Sequence, residues 1–111
     1  MQQLPVAALP AFIRDAASAR PVLLDVREPW ELALARLDLP GAETLNIPMR
    51  ELPARLDELD RSRPILVLCH HGMRSLQSVA YLLQRGCAHA YNVAGGIDAW
   101  SLQVDPSVPR Y

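Results

Sequence analysis

The run Ile65-Leu66-Val67-Leu68 is apolar at every position and ends on Cys69. A strand with one face in water alternates apolar and polar residues, so an unbroken run belongs in the centre of a sheet covered on both sides. The segment Cys69-His70-His71-Gly72-Met73-Arg74-Ser75 follows. Directly after it, Leu76, Val79, Ala80 and Leu83 mark one face of a helix, with Gly86 as its stop. A buried strand thus delivers a thiol into a tight loop at its carboxyl end, where open α/β sheets bind their ligands.

The rest of the chain repeats this alternation. Val22 to Val26 reads as a buried strand, and Pro29 opens a helix through Trp30, Leu32, Ala33 and Leu37. Thr44 to Ile47 is a short strand after the Pro40-Gly41 turn. Met49 to Leu59 carries Leu52, Leu56 and Leu59 at helical spacing. Ala90 to Val93 is a further strand, followed by Gly95-Gly96 and a helix over 97–102. Leu9 to Ala17 looks helical, and Gln2 to Leu4 suits an edge strand. Val104 to Tyr111, with Pro106 and Pro109, should be extended and packed over the surface. Strands separated by helices give an α/β fold with a central, mainly parallel sheet, and 111 residues make one domain, 1–111.

Composition narrows the function. A net charge of −1 offers no footprint for nucleic acid or an anionic membrane. All 11 basic residues are Arg, which excludes Schiff-base chemistry and a lysine base. Two cysteines, Cys69 and Cys87, cannot make a disulfide framework and point to a reduced, cytoplasmic setting. Pro5 and Pro10 interrupt the apolar stretch from Leu4 to Ile13 and no Lys or Arg precedes it, so a cleaved signal peptide is not expected. No run reaches the roughly 18 apolar residues of a membrane span.

Taken alone, a Cys at a strand end reads as a buried structural thiol. The loop around Cys69 reverses that reading. A free thiol has a pKa of about 8.5, and helix N-termini or nearby cations stabilise its anion. Gly72 admits backbone conformations closed to other residues, so successive amides can face inward. Arg74 adds a permanent charge, Ser75 a hydroxyl near the helix start that could cap it, and His70 and His71 donors partly charged near neutral pH. The product is a cup for an anion, with a thiolate at its base.

Cys69-x-x-Gly72-x-Arg74-Ser75 after an apolar strand resembles the active-site loop of the rhodanese-like sulfurtransferases. Supporting segments lie in order: Leu24-Asp25-Val26-Arg27-Glu28 with Glu31, Pro40-Gly41-Ala42 with Asn46-Ile47-Pro48, and Tyr91 through Trp100. Together they span roughly residues 4–111. One departure is Leu37-Asp38-Leu39, where the family usually has Gly-His-Ile. The resemblance implies a three-layer domain with a five-stranded sheet flanked by helices. It also implies a Cys69 nucleophile that takes sulfur from thiosulfate or another sulfane-sulfur donor, holds it as a persulfide, and yields it to cyanide, a small thiol or a protein. His70, His71, Gly72, Met73, Arg74 and Ser75 would bind the donor, with His70, Met73 and Arg74 lining the mouth. Asp25 and Arg27 would anchor loops.

Two other activities fit the same residues: a persulfide carrier serving a partner protein, and an inactive relative used for protein contacts, against which the intact Cys69 argues. A phosphatase fits less well. Cysteine-dependent phosphatases place five residues between Cys and Arg, whereas only four intervene here, His70 to Met73. The chemistry needs no cofactor, and consecutive Cys69, His70 and His71 lack the spacing of zinc ligands, so no metal is expected. Cys87 is expected to be a half-buried bystander, and Trp30 and Trp100 to pack the flanking helices.

Overall fold

A computed structural model describes residues 2–111. Five strands form one sheet: β1 (Gln3–Pro5), β2 (Val22–Asp25), β3 (Glu43–Asn46), β4 (Ile65–Leu68) and β5 (Ala90–Ala94). Their spatial order is β1-β5-β4-β2-β3, and every neighbouring pair is parallel. β4 is the middle strand, as its composition demanded. Four α-helices accompany the sheet: α1 (Leu9–Asp15), α2 (Pro29–Leu34), α3 (Met73–Gln84) and α4 (Gly96–Gln103).

Side chains alternate across β4, and each face has its own core. Ile65, Val67 and Cys69 join Val79 and Leu82 of α3 with Leu52, Leu56 and Leu59. Leu66 and Leu68 face the other way, against Leu9 and Ile13 of α1 and Ile97 and Trp100 of α4. This is the expected three-layer α/β arrangement. No helix among the described residues is long and apolar enough to cross a membrane.

Three local expectations fail for physical reasons. The helix expected over Met49 to Leu59 is two 3-10 segments, Met49–Glu51 and Pro53–Glu58. Pro53 has no N–H to donate to Met49 O, and Arg55 leaves helical geometry at φ −116° and ψ 15°, so the segment uses i→i+3 bonds such as Leu52 N–H to Met49 O (3.2 Å). Its leucines still reach the core. The helix expected through Leu37 stops at Leu34, and Ala35 is extended with φ −160° and ψ 134°. From there Ala35, Leu37 and Leu39 are buried while Arg36 and Asp38 lie in solvent, a period of two. Trp30 does not pack a flanking helix: it is 62% exposed, whereas Trp100 is buried as expected.

Candidate active site

The chain leaves β4 at Leu68, turns through residues 69–72 and enters α3 at Met73. The turn closes through Gly72, whose φ of +96° belongs to glycine, and which serves as the N-cap of α3 with no side-chain cap. Ser75 therefore does not cap. It lies inside the first turn, fully buried, with its hydroxyl oxygen 3.2 Å from Cys69 Sγ. Cys69 itself is buried.

Two backbone amides aim at the sulfur: Gly72 N–H at 3.0 Å and Ser75 N–H at 3.3 Å. The amides of His71, Met73 and Arg74 find no backbone acceptor among the described residues. Unpaired amides are what the first turn of a helix leaves, and of this loop's amides those of Gly72 and Ser75 point at the sulfur. The Ser75 hydroxyl donates to Asn92 Oδ1. The Asn92 amide in turn donates to Gln3 Oε1 (2.8 Å) and Gly72 O (3.3 Å), which fixes its orientation. With its proton committed to Asn92, Ser75 presents a lone pair to Cys69.

α4 holds the loop from behind. Ile97 N–H donates to Cys69 O (2.9 Å) and Asp98 N–H to His70 O (3.1 Å). Gly96 makes this approach feasible, because a Cβ there would overlap the carbonyls of Cys69 and His70. Gly95-Gly96, which reads as a plain turn in the sequence, is thus part of the scaffold of the cup.

Arg74 does not offer a free charge to the cup. Its Nη1 and Nη2 each lie 2.7 Å from the oxygens of Glu31, a bidentate pair joining α3 to α2. Glu31 is 3% exposed and also accepts from Glu28 N–H (2.9 Å) and Tyr111 O–H (2.9 Å). Arg74 outweighs the effect of burial and, with the other donors, pulls the Glu31 carboxyl from 4.5 down to about 2. A carboxyl depressed in the fold stabilises it fully above pH 4.5 and loses that contribution as pH falls toward 2. Glu31→Gln is expected to lower the urea midpoint at pH 7 and to leave a smaller difference from the parent at pH 3. An unchanged difference across that range would contradict this assignment.

His70 and His71 stack, with centroids 3.9 Å apart, and the Tyr111 ring covers the other face of His70 at 3.8 Å. Burial, and then the neighbouring His71, hold His70 below its ordinary pKa. His70 is thus less charged than its sequence position suggests. The side-chain ligand atoms of His70, His71 and Asp98 lie within 4.8 Å of one another. Asp98 is also engaged by Arg110 at 2.9 Å and lies 3.8 Å from His71 Nδ1. Met73, the first residue of α3, is 68% exposed.

Asp25, whose strand neighbour is Leu68, and Arg27 form a buried pair. Arg27 Nε and Nη2 donate to the Asp25 carboxylate at 3.0 and 2.7 Å, and Asn46 Nδ2 bridges the carbonyls of both residues at 2.9 Å. Burial opposes the Arg27 charge, yet the bonds to Asp25 and Tyr111 prevail and raise its pKa. Cys87 is fully buried rather than half-buried, and burial raises its thiol pKa, as befits an inert side chain.

Comparison with known proteins agrees with this architecture. The family model for the rhodanese-like domain matches residues 10–103, and the chain belongs to that family. It is 36% identical over 80 residues to a sulfurtransferase from Allochromatium vinosum, covering 72% of this chain and 71% of that protein. It is 39% identical over 106 residues to a chloroplastic rhodanese-like/PpiC domain-containing protein of Arabidopsis thaliana. That match covers 92% of this chain but only 32% of the plant protein. The crystal structure of a rhodanese-related protein from Thermoplasma volcanium superposes with a TM-score of 0.78 at 32% identity, covering 100% of both chains. Glu31, Asn92 and Tyr111 are the site residues that sequence reasoning did not assign to the cup.

Proposed function

We propose that this chain is a sulfurtransferase that carries sulfane sulfur on Cys69. The observation that carries this reading is the sulfur itself, at the base of a loop where two N–H groups point at Sγ and further loop amides lack backbone acceptors. The similarity to a protein named sulfurtransferase supports it. In the first step the Cys69 thiolate attacks the outer sulfur of thiosulfate. A new S–S bond forms, the old one breaks, and sulfite leaves with the electron pair. The terminal sulfur of the resulting persulfide is an anion one atom further out, and the loop amides stabilise it. In the second step cyanide or a thiol attacks that sulfur and the Cys69 thiolate is restored. The two half-reactions give ping-pong kinetics.

A second reading is a carrier that delivers the persulfide to a partner protein. Exposed Met73 and Trp30 favour it. Trp30 and Met73 belong to α2 and α3, the two helices that the Glu31–Arg74 pair joins.

Intact-mass analysis of the reduced protein separates these readings. Thiosulfate should add one sulfur atom and cyanide should remove it. No addition from thiosulfate, with rapid addition from a cysteine desulfurase, would replace the enzyme by the carrier. No addition from either donor would reject both.

A further inference from the structure

The geometry points to Tyr111 as a specificity-determining residue that closes one side of the Cys69 cup and limits the size of what reaches the sulfur; we propose this role on the reading of Cys69 as the nucleophile. Tyr111 touches both the residue after Cys69 and the carboxylate that grips Arg74. Its ring lies flat on His70, 3.8 Å between centroids and 8° between planes. Its hydroxyl accepts from Arg27 Nη1 (3.0 Å) and donates to Glu31 Oε1 (2.9 Å), the carboxylate that also grips Arg74.

The preceding residues pin it there. Ser101 Oγ–H donates to Val108 O at 2.6 Å, and Arg110 Nε donates to Asp98, whose own amide holds His70 O. Segment 104–111 is therefore tied to α4, to the Cys69 loop and to the Arg27–Glu31 cluster at once. The ring rests on His70, the residue next to the nucleophile. A compact donor or acceptor can reach the sulfur with the ring in place, whereas a bulky one must displace it.

The hydroxyl's bonds to the charged Arg27 and Glu31 tether the ring, and its stacking on His70 adds to that barrier. Deleting the ring should raise the population open to bulky reagents about tenfold. The test compares alkylation of Cys69 by iodoacetamide and by fluorescein maleimide, followed by peptide mass spectrometry, with buried Cys87 as the control for an intact fold. Tyr111→Ala is expected to raise the bulky-to-compact rate ratio about tenfold, and Tyr111→Phe, which keeps the ring on His70 but loses the hydroxyl tether, by a smaller factor. Arg110→Ala, which frees the segment from Asp98 and keeps Tyr111, should move the ratio in the same direction by a smaller factor. An unchanged ratio in Tyr111→Ala and Arg110→Ala would overturn the role, and so would a Phe variant that shifts as far as the Ala variant.

A parallel measurement with persulfide-loaded protein should show the kcat/KM for glutathione rising relative to that for cyanide in Tyr111→Ala. The alkylation arm does not depend on sulfur transfer. Failure to load sulfur would sink the proposed function, while Tyr111 would still be judged by access to Cys69.

Discussion

Cys69→Ser is expected to abolish sulfur loading and to lower thiosulfate:cyanide turnover by at least about 10³-fold, the scale on which loss of a covalent nucleophile is felt. The serine oxygen would sit where Sγ sits and could still accept from Gly72 N–H and Ser75 N–H. A hydroxyl is scarcely ionised near neutral pH, however, and the hydrogen-bond partners of Sγ among the described residues are two amides and the Ser75 hydroxyl. That hydroxyl has its proton directed to Asn92, and Glu31 is a weak base because Arg74 draws its pKa down to about 2. The effect should therefore fall on chemistry and not on folding, with unfolding free energy changed by about 1 kcal/mol, the worth of one altered hydrogen-bond environment. Turnover assays and intact-mass analysis of the variant decide the matter, and retained turnover would rule out the persulfide on Cys69.

Features set by neighbouring residues are legible in the chain. The middle strand shows in the unbroken run Ile65 to Leu68, the start of α2 in Pro29, and the end of α3 in Gly86, whose φ is +90°. Cys69 and the glycine that turns its loop are equally local. The errors arise where distant packing outweighs local pattern. Ala35, Leu37 and Leu39 alternate with Arg36 and Asp38, yet Leu32, Ala33 and Leu37 also satisfy a helical period, and only burial against α1 and α4 selects the extended form. Pro53 inside the leucine pattern of residues 49–59 was the available signal for a tight 3-10 path. The site shows the same division. Asn92 and Tyr111 join the cup from positions 17 and 84 residues away from Ser75 and Arg27, a closeness created by the sheet order and by the path of the last segment.

Asp25→Ala is expected to cost the fold about 3–5 kcal/mol, a large part of the roughly 5–15 kcal/mol that keeps a domain folded. Arg27 is fully buried, and the Asp25 carboxylate receives three of its donors: the backbone N–H, Nε and Nη2. Removing that carboxylate leaves a guanidinium inside the protein with the Tyr111 hydroxyl oxygen (3.0 Å) and the Glu31 carbonyl (3.5 Å) as its acceptors. Asp25 is not placed to serve as a base for the thiol, since both its oxygens serve Arg27 (3.0 and 2.7 Å) and the residue is 2% exposed. The variant should thus lose stability first and activity only through it. Urea unfolding of Asp25→Ala, compared with the double variant Asp25→Leu/Arg27→Met, distinguishes an unpaired buried charge from a merely lost contact. The double variant should recover much of the loss, because two apolar side chains leave no charge to solvate. A loss below about 1 kcal/mol in Asp25→Ala would mean that water or a rearranged carboxylate reaches Arg27 and that the pair does not anchor the loop after β2.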